Sequence, residues 1–184
     1  MEHIYSQPQF GEDWFTYPSL YTQMVNQFPS GSKFVEVGSW KGKSASYMCV
    51  EIANSEKNIE FFCVDHFLGS IEHHNGMGDL SDLYNKFISN MTPVEDYYTL
   101  LKMPSLDAAA TFADASLDFV FIDGSHEYED VKNDIAAWLP KVKSGGILAG
   151  HDYHHPPIQQ ALAESSLEGF TGDLGIDCWI YQVP

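Results

Sequence analysis

Residues 34 to 44 read FVEVGSWKGKS. A short apolar run stops at Gly38, passes through a polar turn to Gly42, and continues into a segment where Ala45, Met48, Cys49, Ile52 and Ala53 recur at steps of three and four. That succession is a buried strand, a tight turn and a helix, the opening unit of an alternating α/β fold. Gly38 is suited to close approach of the backbone to a ligand, and Gly42 to a helix that starts tight against the strand.

The same rhythm runs outward along the chain. Residues 33 to 37, 60 to 64, 97 to 101, 118 to 122 and 146 to 150 are apolar runs ending at polar or glycine-containing turns, and read as five buried strands. Helical spacing fills the gaps, through Leu80, Leu83, Tyr84, Phe87, Ile88 and Met91, and through Tyr128, Val131, Ile135, Trp138 and Leu139. Ser105 is placed to cap a short helix through AAATF, with Asp107 in its first turn. Residues 167 to 173 and 177 to 182, joined by a short glycine turn, suggest an antiparallel hairpin at one sheet edge. Leu20, Met24, Val25 and Phe28 mark an extra helix that either packs on the sheet or covers the site. The expected fold class is α/β: a Rossmann-like, doubly wound, seven-stranded sheet, mostly parallel, with an antiparallel carboxyl-terminal hairpin. One domain over 1–184 is expected, with a helical extension at 1–30 ahead of a core at 31–184.

Bulk properties exclude several partners. With 26 acidic against nine basic residues, the net charge of −17 repels a phosphate backbone and an anionic membrane alike. No apolar run approaches the roughly 20 residues of a membrane span, and MEHIYSQPQF lacks the plan of a signal peptide. The expectation is a cytoplasmic protein with a small-molecule substrate, no nucleic acid and no membrane; a homo-oligomer is left open. Cys49, Cys63 and Cys178 are odd in number and set in apolar segments, as reduced core thiols are.

In such a sheet, ligands bind beyond the carboxyl ends of the strands. The turn after the first strand has one glycine too few for GxGxxG, and Glu36 at the strand end would oppose a pyrophosphate while suiting an ammonium or sulfonium ligand. Asp65 in VDHFLGS (64–70) ends the second strand at the spacing of an acid that grips a ribose diol; the same position also suits a helix cap. Two further motifs are LDFVFIDGSHEYEDVKNDI (117–135) and GGILAGHDY (145–153).

Together, these four motifs resemble the class I S-adenosylmethionine-dependent methyltransferases, in the small subgroup similar to methyltransferase family 24, over roughly residues 15 to 165. The resemblance implies an enzyme that moves a methyl group from S-adenosyl-L-methionine to a small acceptor, by preference to a hydroxyl oxygen. It implies that Glu36, Gly38 and Ser39 hold the methionine end of the cofactor, Asp65 its ribose and Ser105 its adenine region, with Asp123 facing the transfer zone. Trp40, Gly42, Ser44 and His66 complete the expected cofactor set; Trp40 walls the pocket or merely packs. Catalytic candidates are Asp123, His126 and His151, with His126 as general base or as a structural hydrogen-bonding group. Some related oxygen methyltransferases hold magnesium with acids at similar places, which makes Asp123, His151 and Asp152 a candidate site for a divalent metal. There His151 stands where an oxygen ligand is expected, and suits magnesium less well than a transition metal. His154 and His155 are further candidate ligands or exposed loop residues. Residues 66 to 78 form a long loop with the character of a lid, a binding element or a surface excursion. Two rival readings stand beside the main one: a nicotinamide-dependent oxidoreductase, and a non-catalytic nucleotide-binding module.

Overall fold

In the computed structural model, residues 1–11, 13–70 and 79–184 are described. Five strands lie parallel: β1 (Lys33–Val37), β2 (Glu60–Val64), β3 (Thr99–Leu101), β4 (Leu117–Ile122) and β5 (Val142–Gly150). The chain then adds β6 (Thr171–Asp173) and β7 (Cys178–Gln182), paired antiparallel to each other, with β7 antiparallel to β5. The sheet order is β3-β2-β1-β4-β5-β7-β6. This is the seven-stranded, mostly parallel sheet that the apolar rhythm predicts.

Helices cover both faces: α1 (Pro18–Gln27), α2 (Lys43–Ser55), α3 (Leu83–Met91), α4 (Ser105–Thr111), α5 (Tyr128–Trp138) and α6 (Pro156–Glu164). Burial on both faces explains why the strands read as near-continuous apolar runs. Alternate residues of β1 and β4 point to opposite layers. Phe34, Phe119 and Phe121 pack with Leu20, Tyr21 and Met24 of α1 and with α2 and α3, whereas Val35, Val37, Val120 and Ile122 pack with Val131, Ile135 and Trp138 of α5 and with α6. Glu36 falls in the aromatic layer.

Several boundaries differ from the sequence reading for local reasons. β3 begins at Thr99 because Thr92–Tyr97, with Pro93 near its start, is a 3-10 helix. α3 starts at Leu83, since Leu80 only accepts the turn bond from the Leu83 amide. α6 has no counterpart in the apolar rhythm: it begins at Pro156, after the exposed turn residues His154 and His155, with prolines in its first turn and Ile158, Ala161 and Leu162 buried. Ser105 is the first helical residue of α4 and not its cap; Pro104 holds that position and no side chain caps the helix. The hydroxyl is used elsewhere, as described below. Of the loop at 66 to 78, residues 71–78 lie outside the described residues. Among the described residues all three cysteines are buried and unbridged, and no helix is long and apolar enough to cross a membrane.

Candidate active site

β1 and β4 are sheet neighbours whose connections leave in opposite directions, and a cavity of about 1130 Å³ opens at their carboxyl ends. This is the switch point at which doubly wound sheets bind ligands. Its floor is the turn after β1. Gly38 has φ +90°, and a Cβ there would stand 2.0 Å from the Asp123 carbonyl oxygen. Its backbone is thus pressed against Asp123, the residue that follows β4, and the same glycine lines the cavity. Gly42, at φ +87°, is the N-cap residue of α2, and a Cβ there would meet Met91 of α3 at 2.8 Å, so its constraint comes from the neighbouring helix and not the preceding strand. Between them Trp40 takes φ +47°, a conformation that costs energy outside glycine, and its amide donates to Asp65 Oδ2 at 2.8 Å.

Glu36 is fully buried beneath this turn and is not part of the cavity wall. Tyr21 donates its hydroxyl to Glu36 Oε2 at 2.7 Å. Glu36 Oε1 and the Ser39 hydroxyl are buried and make no hydrogen bond among the described residues. Burial pushes Glu36 up to about 7, against the pull of Tyr21 and the nearby Ser44 and Ser39 hydroxyls. Ser39 and Ser44 line the cavity above it, so the acid acts on any ligand through this thin polar layer.

Asp65 lies at the rim with both oxygens engaged by backbone amides, Oδ2 by Trp40 and Oδ1 by Phe67 at 2.6 Å. These two amide bonds fix the orientation of the carboxylate at the rim. Its neighbour His66 is exposed, lines the cavity, and accepts the Leu68 amide at Nδ1. At the far end Ser105 donates to Asp134 Oδ1 at 2.5 Å and accepts the Trp138 indole proton at 2.9 Å. Burial pushes Asp134 up to about 6, with the Ser105 bond opposing. The sequence reading did not single out Asp134, a polar residue on a buried helix stripe.

The opposite wall gathers the acids and histidines. Tyr17, just ahead of α1, donates to Asp123 Oδ2 at 2.6 Å. Burial, with the charges of Asp123 and Glu36, raises the Tyr17 phenol well above its ordinary value and keeps it a donor. His151, 7% exposed, sets Nδ1 3.5 Å from Asp123 Oδ1 and 3.2 Å from Asp152 Oδ2, and Nε2 2.9 Å from the Thr16 hydroxyl. Burial pulls His151 down, but the bonds and charges of Asp123 and Asp152 outweigh it and push the group up to about 10. His126 Nε2 lies 2.8 Å from Asp152 Oδ2. Burial would raise Asp152, yet bonds to His126 and His151 hold it well below the usual carboxylate range. Asp152 sits at φ +54°, turned back so that both imidazoles reach one oxygen. His154 and His155 stand apart from this wall: His154 Nε2 pairs with Asp173 at 3.1 Å, and His155 precedes α6.

A family model described as a methyltransferase domain matches residues 35–153, well over half of the chain. The chain belongs to that methyltransferase family. The matched span of the methyltransferase domain holds Glu36, Asp65, Asp123, His126, His151 and Asp152, whereas Thr16, Tyr17 and Asp177 reach the cavity from outside it. No sequence motif marks those three. Among curated proteins, one of Sinorhizobium fredii, described as uncharacterized, is 29% identical over 120 residues, and one of Acanthamoeba polyphaga mimivirus, also uncharacterized, is 25% identical over 146. These alignments take in 65% and 78% of this chain but only 13% and 62% of those proteins, so the domain spans less than two thirds of either relative. Two solved structures share the fold. The O-methyltransferase NovP superposes with a TM-score of 0.70 at 20% identity, covering 91% of this chain and 79% of that one. A methyltransferase from Geobacter sulfurreducens gives 0.62 at 12% identity, covering 91% and 78%.

Proposed function

We propose that the cavity binds S-adenosylmethionine and that the protein transfers its methyl group to a hydroxyl oxygen of a small acceptor, in the cytoplasm. The observation that carries this reading is the buried carboxyl of Glu36 under the glycine turn. A dinucleotide loop offers amide hydrogens and helix dipole to a pyrophosphate there. A buried carboxyl there, separated from the cavity only by the Ser39 and Ser44 hydroxyls, instead favours a ligand whose near end is cationic. The ammonium end of the cofactor is such an end, so the residues present fit the group. Asp65, held by two amides, is placed for the ribose, and the Ser105 and Asp134 end for the adenine.

The bound cofactor supplies an activated methyl group on a positively charged sulfur. The protein is left to position the acceptor, exclude water and take up one proton. His126, oriented by Asp152, is the base in this reading, and Asp123, held by the Tyr17 hydroxyl, accepts a hydrogen bond from the acceptor hydroxyl. NovP, an O-methyltransferase by name, supports oxygen as the acceptor atom.

Calorimetry with S-adenosylmethionine, S-adenosylhomocysteine and NAD tests this directly. The first two bind and NAD does not; the reverse pattern would overturn the reading in favour of a nicotinamide enzyme. Replacing Asp65 by Ala removes charge-assisted bonds worth about 1.5–3 kcal/mol, and weakens cofactor binding roughly 10- to 100-fold. Unchanged affinity would place the ribose elsewhere. Binding without methyl transfer to any hydroxylated acceptor would leave the non-catalytic module standing.

A further inference from the structure

We infer that Asp134, on α5, selects the base of the cofactor: it accepts the exocyclic amine of adenine and disfavours a purine with oxygen in that place, while Ser105, the residue expected at the adenine, positions it. The Trp138 indole nitrogen can only donate, and it lies 2.9 Å from Ser105 Oγ, so the serine oxygen is the acceptor there. A serine hydroxyl has one proton, and Asp134 Oδ1, 2.5 Å away, receives it. Ser105 therefore has no proton to offer a ligand. Asp134 keeps a second oxygen. A Cβ on Gly124, in the turn after β4, would stand 4.0 Å from Asp134 Oδ2, which sets this oxygen on the side of a turn that lines the cavity. Asp134 is itself buried and belongs to the same lining.

This end of the cavity thus presents an acceptor of fixed direction. An ionised carboxyl has only acceptor capacity, and Asp130, one turn earlier on α5, lines the cavity too and adds negative charge. Met103, Pro104 and Leu106, around the start of α4, give the lining an apolar flank suited to the face of a flat ring. An amine on that ring brings two hydrogens to Oδ2, whereas an oxygen brings lone pairs against a carboxylate. Asparagine at position 134 would reverse the polarity. Its carbonyl oxygen has to take the Ser105 proton, because Trp138 fixes the serine oxygen as an acceptor on its other side. The amide nitrogen then stands where Oδ2 stood, a donor in place of an acceptor.

This inference rests on the proposed methyl-transfer reading for the identity of the ligand, but its test is binding and needs neither acceptor nor turnover. S-adenosylhomocysteine and S-inosylhomocysteine, which carry the amine and the oxygen on otherwise matching molecules, are titrated by calorimetry into the full chain and into Asp134→Asn. The titrations are run at pH about 8, where Asp134 is ionised. Wild type binds the adenosyl compound roughly 10- to 100-fold more tightly, the worth of one hydrogen bond to a charged group, and in Asp134→Asn the ratio collapses or inverts. The ratio is the readout, since a pocket that is merely loosened weakens both ligands alike. Equal affinity of wild type for the two, or an unchanged ratio in the variant, would overturn the inference. Should Asp134→Asn fail to fold, the Trp138 indole 1H–15N resonance of wild type decides, because this buried group feels the base through Ser105 and Asp134. Saturating S-adenosylhomocysteine moves it, and the analogue with hydrogen in place of the amine leaves it near its free position; equal shifts refute the assignment. Binding of neither homocysteine compound would overturn the methyl-transfer reading and this inference together, whereas binding of both without preference overturns the inference alone.

Discussion

Glu36 shows how one buried group ties stability to ligand charge. Its folded pKa of about 7 lies above the ordinary 4.5, so the folded chain holds this proton more tightly than the unfolded one. Its contribution to stability is thus full below about 4.5 and is lost as pH rises through about 7. An ammonium bound in the cavity above it, across the Ser39 and Ser44 layer, favours the charged form and opposes that loss. Binding of S-adenosylhomocysteine near pH 7 should therefore release up to about half a proton from Glu36. Calorimetry in two buffers of different ionisation enthalpy measures the release, and Glu36→Gln should abolish it. Equal binding enthalpies for wild type in both buffers would mean that the ligand's cationic end lies elsewhere.

At the scale of elements, α4 and α5 are stitched together by one hydroxyl. Ser105 satisfies Asp134 and Trp138 at once, so Ser105→Ala leaves two polar groups short of a partner at the sheet's end. The cost should be about 1–3 kcal/mol, read as a lower denaturant midpoint at constant slope. An unchanged midpoint would show that water replaces the serine. This contact also marks the limit of reading elements from sequence. A serine ahead of an alanine run looks like a helix cap because capping is local, but its partners lie 29 and 33 residues downstream. The strands were legible because burial on both faces writes them as unbroken apolar runs, and α5 because one stripe faces the core. α6 was hidden by its short length and by two histidines and two prolines at its start, which suggest a loop.

For the molecule as a whole, chain order and a parallel sheet were enough to bring four strand ends to one edge, which is why Asp65, Asp123, His126 and Asp152 could be named from the sequence. Their pairings could not, since Thr16, Tyr17 and Asp177 come from distant ends of the chain and only packing selects them. Gly38 and Gly42 were legible as turn glycines, but the groups that crowd them, Asp123 and Met91, lie far along the chain and were not. The cavity's occupant should also stabilise the entire fold: at a hundredfold excess over its Kd, S-adenosylhomocysteine contributes about 2.7 kcal/mol. A chain of this size gains about 2–4 °C per kcal/mol, so the melting temperature should rise roughly 5–10 °C. A thermal melt that NAD shifts and S-adenosylhomocysteine does not would argue against the proposed ligand. The four tryptophans divide by place. Trp138 and Trp179 are sealed in the core, while Trp14 and Trp40 stand with ring centroids 6.2 Å apart on the cavity wall. Emission from the second pair should therefore change as the cavity fills, against a steadier background from the first, giving an optical gauge of loading that needs no attached dye.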